Sequence, residues 1–188
     1  MGPNGITRKM KVVLIRHGEP RYDEVAERGY IGQGYDLGKL TERGVMQAIN
    51  VSSSFRLDDA ELIVSSPYTR ALQTAAIISR LRNLELTIEN DLHEWMPDKT
   101  FRSKQDVSKA YDDFMNNEGK DTKKKITDWE TYAELKKRTH EALRPYIGKY
   151  NKIIVVCHGM VMTTFTHIFD MIEHCGIREV EIDESFFK

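Results

Sequence analysis

KVVLIRHGEP, residues 11–20, decides how the rest of this chain is read. Val12 to Ile15 is a run of β-branched and aliphatic side chains, too short for a helical stripe and suited to a buried strand. The run stops abruptly at Arg16, His17 and Gly18: a cation, an imidazole and a residue with no side chain. The chemistry is therefore expected at the carboxyl end of that strand.

Three further apolar runs have the same character: Leu62 to Ser65, Leu84 to Ile88 and Ile153 to Cys157. Helical patterns alternate with them. Thr41 can cap a helix that turns Val45, Met46, Ala48 and Ile49 inward. Pro67 stands near the start of another that carries Ala71, Leu72, Ala75 and Ile78. The alternation predicts an α/β fold, a mainly parallel sheet flanked by helices. With 188 residues, the chain is read as one domain, residues 1–188, of which 1–9 form a frayed end.

Residues 95–130 interrupt the rhythm and are read as an inserted helical lobe that selects substrate. It has a helix from Ser103 to Met115 and a polar loop, NNEGKDTKKK, from 116 to 125. Tyr111, Phe114 and Trp129 read as its packing, and Lys120 with Lys123 to Lys125 as a solvated charge run. Thr131 and Glu134 then match a capping box, and Pro145 should end or kink the helix that follows.

Charge is nearly balanced, 28 Lys and Arg against 29 Asp and Glu. Neither nucleic acid nor an acidic membrane is expected as a partner. Cys157 and Cys175 form no CxxC pair and are expected as reduced thiols in a cytoplasmic protein. The first apolar run is far shorter than a membrane span or a signal-peptide core, and Ile6 stands where a myristoylation signal at Gly2 would need Ser or Thr.

In open parallel sheets, ligands bind beyond the carboxyl ends of the strands. That rule gathers Arg16 and His17 after the first strand, Arg70 in the helix after the second, and His158 with Gly159 after the fourth. Alone, Arg70 would read as a solvated residue and His158 as a structural histidine. Together they outline a phosphate pocket of two guanidinium forks, a protonated histidine and helix N-termini. Other motifs point nowhere comparable. GQGYDLG, residues 32–38, lacks the GxGxxG spacing and reads as a flexible loop. Neither cysteine begins a Cys-x5-Arg loop, no Gly-x-Ser-x-Gly elbow occurs, and His167 and His174 lack metal-ligand spacing, so both read as surface or core residues.

LIRHGE resembles the signature of the histidine phosphatase superfamily, the phosphoglycerate-mutase-like proteins. LTERGVMQA (40–48), VSSPYTRALQTA (64–75), LHE (92–94) and VVCHG (155–159) resemble its later blocks in the same order, with residues 95–130 outside them. The resemblance implies a phosphoglycerate-mutase-like fold, with His17 as a nucleophile that becomes a phosphohistidine. Its other ring nitrogen would be fixed by backbone near Gly18. Arg16, Arg70 and His158 would bind the phosphoryl group, with Gly18 and Gly159 in the same substrate-binding set. Glu94 would be the general acid, ahead of its neighbour His93. No metal or cofactor is implied.

One block departs from the family: Glu19-Pro20-Arg21-Tyr22-Asp23 stands where mutases continue Glu-Ser-x-Trp-Asn. Asp23 would repel a phosphoryl group, so it should point away or bind Arg21. The function expected is a metal-independent phosphatase acting on small phosphorylated metabolites. The alternatives are a phosphoglycerate-type mutase and a non-catalytic phospho-ligand binder. A homodimer stays open, because Phe186 and Phe187 could pack on a neighbour or on their own chain.

Overall fold

Alternate side chains of the first strand enter two different cores. In a computed structural model, which describes residues 8–102 and 107–187, that strand is β1 (Met10–Arg16). Val12 and Leu14 join a large cluster with Trp95, Phe114 and Trp129. Val13 and Ile15 join a second with Leu57, Ala71 and Ile78. A strand covered on both faces needs apolar residues at every position, which explains the unbroken run.

The sheet has the order β3-β2-β4-β1-β5, with β2 Leu62–Ser65, β3 Leu86–Ile88, β4 Lys152–Cys157 and β5 Ile177–Ile182. All neighbours are parallel except β5, which runs antiparallel to β1 at the edge. The mainly parallel α/β expectation holds. The fifth strand is an addition to it, because Arg178, Glu179 and Glu181 give it the charged, half-exposed pattern of an edge strand.

The helices are α1 (Asp23–Glu27), α2 (Glu42–Ser52), α3 (Thr69–Arg82), α4 (Val107–Asn116), α5 (Tyr132–Leu143) and α6 (Gly159–Thr163). Thr41 Oγ1 accepts the Gly44 N–H at 2.9 Å and caps α2. At α5 the capping box is complete: Glu134 N–H donates to Thr131 Oγ1 at 3.2 Å and Thr131 N–H to Glu134 Oε2 at 2.8 Å. Pro145 lies in a 3-10 turn, Arg144–Tyr146, which replaces the end of that helix. The third strand is shorter than expected. Asn83 closes α3 in the left-handed conformation, φ 54°, and Leu84 N–H bonds back to Ser79 O at 3.1 Å, so Leu84 belongs to the helix end.

The first four residues of the helix expected over 103–115, and most of the N-terminal end, lie outside the described residues. Residues 32–37, expected as a flexible loop, form a 3-10 helix. The aromatics of the 95–130 segment are set into the main core: Phe114 and Trp129 are fully buried there. Phe186 and Phe187 pack on their own chain, Phe186 with its ring 4.6 Å from His140 and Phe187 beneath the Arg144 guanidinium at 4.7 Å. Cys157 and Cys175 are both free thiols. Among the described residues no helix is long and apolar enough to cross a membrane.

Candidate active site

Register brings the site together. β1 and β4 run from Lys11 opposite Lys152 to Arg16 opposite Cys157, and β2 ends with Ser65 opposite Val156, so three strands finish within one residue of each other. The residues that follow them are His17, His158 and Ser66.

His17 is almost fully buried, and its two ring nitrogens have distinct partners. Nδ1 lies 2.7 Å from Gly18 O. A carbonyl oxygen can only accept, so the ring proton sits on Nδ1 and Nε2 keeps its lone pair. Nε2 in turn accepts from Arg70 Nε at 3.2 Å. Burial, and then the Arg70 charge, push the imidazole well below its ordinary pKa, so the ring is neutral.

Gly18 uses both of its backbone groups inside the protein, its carbonyl on His17 and its N–H on Thr74 Oγ1 at 3.0 Å. Its carbonyl thereby orients the His17 ring. A side chain there has no room, since a Cβ would come 2.5 Å from Gly44 O. Thr74 Oγ1 also donates to Arg70 O at 2.8 Å, so one hydroxyl ties the motif loop to α3.

Arg70 is held by Asp36, whose Oδ1 accepts from Nη1 at 2.9 Å. Arg16 donates from Nη1 to Ile172 O at 2.5 Å. Its Nε is buried with no partner among the described residues. Gly159 lies alongside, where a Cβ would come 3.7 Å from that nitrogen.

His158 is completely buried, with Nε2 2.7 Å from Ser66 Oγ and its ring edge-on to His17 at 5.2 Å between centroids. Its Nδ1 is also buried without a partner among the described residues. Burial, then the Arg70 charge, hold this imidazole well below its ordinary pKa. The protonated histidine expected from sequence is therefore neutral here. The cationic site and the lack of solvent both disfavour a second charge.

Glu94 forms part of the cleft wall. Its Oε1 accepts the Trp95 N–H at 2.7 Å and Oε2 the Met160 N–H at 3.3 Å, so the first turn of α6 is engaged by this carboxyl group. Burial raises its pKa against the pull of those donors and of both arginines. His93 turns Nδ1 toward Glu94 O at 2.9 Å. Arg16, Arg70, Glu94 and Gly159 face a common cleft of about 1330 Å³.

A family model of the histidine phosphatase superfamily (branch 1) matches residues 12–185. The chain belongs to that superfamily. The match runs through residues 95–130, which the sequence blocks left outside. A protein of Hydrogenobacter thermophilus with the provisional name phosphoserine phosphatase 2 is 29% identical over 154 residues, 79% of this chain and 73% of that one. One of Salmonella arizonae, provisionally named phosphoglycerate mutase GpmB, is 28% identical over 159 residues, 81% and 71% of the two chains. Among solved structures, a mycobacterial glucosyl-3-phosphoglycerate phosphatase superposes with TM-score 0.70 at 17% identity, over 93% of this chain and 91% of that one. These likenesses span phosphatase and mutase names on one fold.

This histidine phosphatase chain also holds residues that sequence reading passed over. Asp36 sat in a stretch whose glycines masked it. His174, read as surface or core, has its ring 5.6 Å from that of His17. Ser66 and Thr74 lay inside a quoted block but look unremarkable as residue types. Arg138 donates to both oxygens of Glu130, at 2.6 and 2.8 Å, and to the carbonyls of Asp91, His93 and Glu94 at 2.6, 2.8 and 3.1 Å. It thus fixes the turn that carries Glu94. The signal for it was present, since Arg138 shares a helical face with Leu135, Thr139 and Ala142, where a charge needs a buried partner.

Proposed function

We propose that this member of the histidine phosphatase superfamily hydrolyses small phosphomonoesters through a phosphohistidine on His17. The observation that carries the reading is the pair of unpartnered buried donors beside a neutral nucleophile. Arg16 Nε and His158 Nδ1 flank His17, and buried donors left unpaired cost roughly 1–3 kcal/mol each. An anion with several oxygens would satisfy both. Ser66 Oγ accepts the Tyr68 N–H at 3.2 Å. With the serine hydrogen turned to His158 Nε2, the ring proton sits on Nδ1, aimed at such an anion.

In the proposed reaction, His17 Nε2 attacks phosphorus as the P–O bond to the alcohol breaks. Arg16, Arg70 and the His158 N–H carry the equatorial charge. Protonated Glu94 gives its proton to the departing alkoxide. Water then attacks phosphorus, its proton passes to the Glu94 carboxylate, and the P–N electron pair returns to Nε2. Charge is met by guanidinium groups and an imidazole, so the proposal includes no metal.

Hydrolysis is favoured over phosphoryl return by the first motif. Asp23 is paired with Arg21 at 2.8 Å, and both are exposed to solvent, so they build no closed phosphate wall. A non-catalytic binder would need neither a neutral nucleophile nor an acid with a raised pKa. The test is a rapid acid-free quench with labelled 4-nitrophenyl phosphate. The expected product is a base-stable, acid-labile phosphoprotein that H17A cannot form. Turnover by H17A, or activity that vanishes in EDTA and returns with Mg²⁺, would overturn the proposal.

A further inference from the structure

The cleft in front of Arg16 and Arg70 is larger and greasier than phosphoryl chemistry alone requires. Its volume of about 1330 Å³ exceeds the ~300–1,000 Å³ of most small-molecule sites. One wall comes from the inserted segment, with Trp95, Met96, Tyr111 and Met115. The other comes from the loop after α6, with Ile168, Phe169, Met171 and Ile172. Phe169 and Met171 stay 62% and 86% exposed, although the loop that carries them is firmly held. Asp170 between them accepts from Arg178 Nε at 2.9 Å, Arg178 Nη2 at 2.8 Å and Thr166 Oγ1 at 2.9 Å. Apolar side chains that are contiguous along a cleft, as these are, mark a ligand-binding groove.

Charge at the cleft points the same way. Among the described lining residues the cations are Arg16 and Arg70, and Arg70 is already paired with Asp36. Asp170 is likewise paired, with Arg178, and burial pushes Glu94 toward its neutral form. A carboxylate or second phosphate on the substrate would meet no described lining cation beyond those two.

We infer that the alcohol half of the substrate is bulky, uncharged and apolar, an aromatic or extended alkyl group lying between Tyr111 and Phe169. This rests on the phosphatase reading above and narrows it, away from small anionic esters of the phosphoglycerate or phosphoserine kind.

The experiment compares kcat/KM for butyl, hexyl and 3-phenylpropyl phosphate with phosphoserine and 3-phosphoglycerate, all esters of alkyl alcohols. Burial of each methylene is worth about three- to fourfold, so hexyl should exceed butyl by about tenfold or more. Both anionic esters should fall at or below butyl. F169S and M171S, at exposed positions that threaten the fold little, should lower the hexyl-to-butyl ratio at least about threefold. A flat series, or preference for an anionic ester, would overturn the inference and leave the phosphatase reading intact. Failure to hydrolyse any ester, 4-nitrophenyl phosphate included, would remove both. Sedimentation supplies a further check: if these variants split a dimer while the ratio stays unchanged, the apolar mouth is a self-association face and the inference fails.

Discussion

His17 keeps its attacking nitrogen unprotonated because burial, the Arg70 charge and the proton lodged on Nδ1 all act in one direction. Glu94 is pushed the opposite way, toward holding its proton. The active form pairs neutral His17 with protonated Glu94, so kcat/KM should stay high on the acid side and fall as pH rises through the elevated Glu94 pKa. In a pH profile from about 4 to about 8, E94Q should lose that falling limb. A limb from ionisation of the phosphate ester itself, near ~6, should persist in both proteins. E94Q should also be impaired more on alkyl than on aryl esters, since a good leaving group needs little proton help. Equal impairment would assign Glu94 to binding, with H93A as the control. At this scale the sequence was informative wherever a residue sat in a short local motif, as His17 and His158 do. It passed over Asp36 and set His174 among surface or core residues, because what places them at the site is only what the chain brings beside them.

The adjacent ends of β1, β2 and β4 do the work at the scale of elements, and the packing of α2 against the motif loop preserves it. G18A would place a Cβ against the Gly44 carbonyl, forcing the loop and α2 apart. The expected result is a loss of kcat with a lowered Tm, and a fully active G18A would show that this contact is soft. The Arg138–Glu130 pair offers a sharper case. Glu130 is 1% exposed, so R138M should cost about 3 kcal/mol by stranding its carboxylate. The double variant R138M/E130Q should recover part of that loss in denaturant titrations. R138M should also lower kcat more than it raises KM, because the turn that aims Glu94 would drift. β1, α2 and α5 were legible because each has a local signature: an unbroken apolar run, a Thr41 cap, a Thr131–Glu134 box. β5 and the 3-10 turn at residues 32–37 have no such signature, since a charged edge strand and a glycine-rich turn acquire their shape from neighbours distant in sequence.

The molecule as a whole should also respond to acid. His17, His140 and His158 are all depressed below the ordinary histidine pKa by burial. The unfolded chain therefore binds more protons at mildly acidic pH, and stability should be lost as pH falls below about 6.5. Tm measured across that range should drop, and orthophosphate should offset the drop if it occupies the site. A flat Tm would mean that the histidines are protonated in the fold after all. Hydrolysis against phosphoryl return belongs to this scale too. Labelled 3-phosphoglycerate should yield inorganic phosphate, slowly, and efficient conversion to 2-phosphoglycerate would place the enzyme among the mutases.

The strand order carries a consequence for how the protein is made. Both neighbours of β1, namely β4 and β5, come from the last forty or so residues of the described chain. On the ribosome, the VVLI segment must wait until residues 152–182 have emerged before it can pair on either side, exposed meanwhile as a sticky β-prone stretch. His17 is thus synthesised well before the strands that position it. Nascent chains arrested before residue 152 should be captured by chaperones and lack any phosphate-releasing activity, while chains extended through residue 187 and released should regain both solubility and turnover in one step.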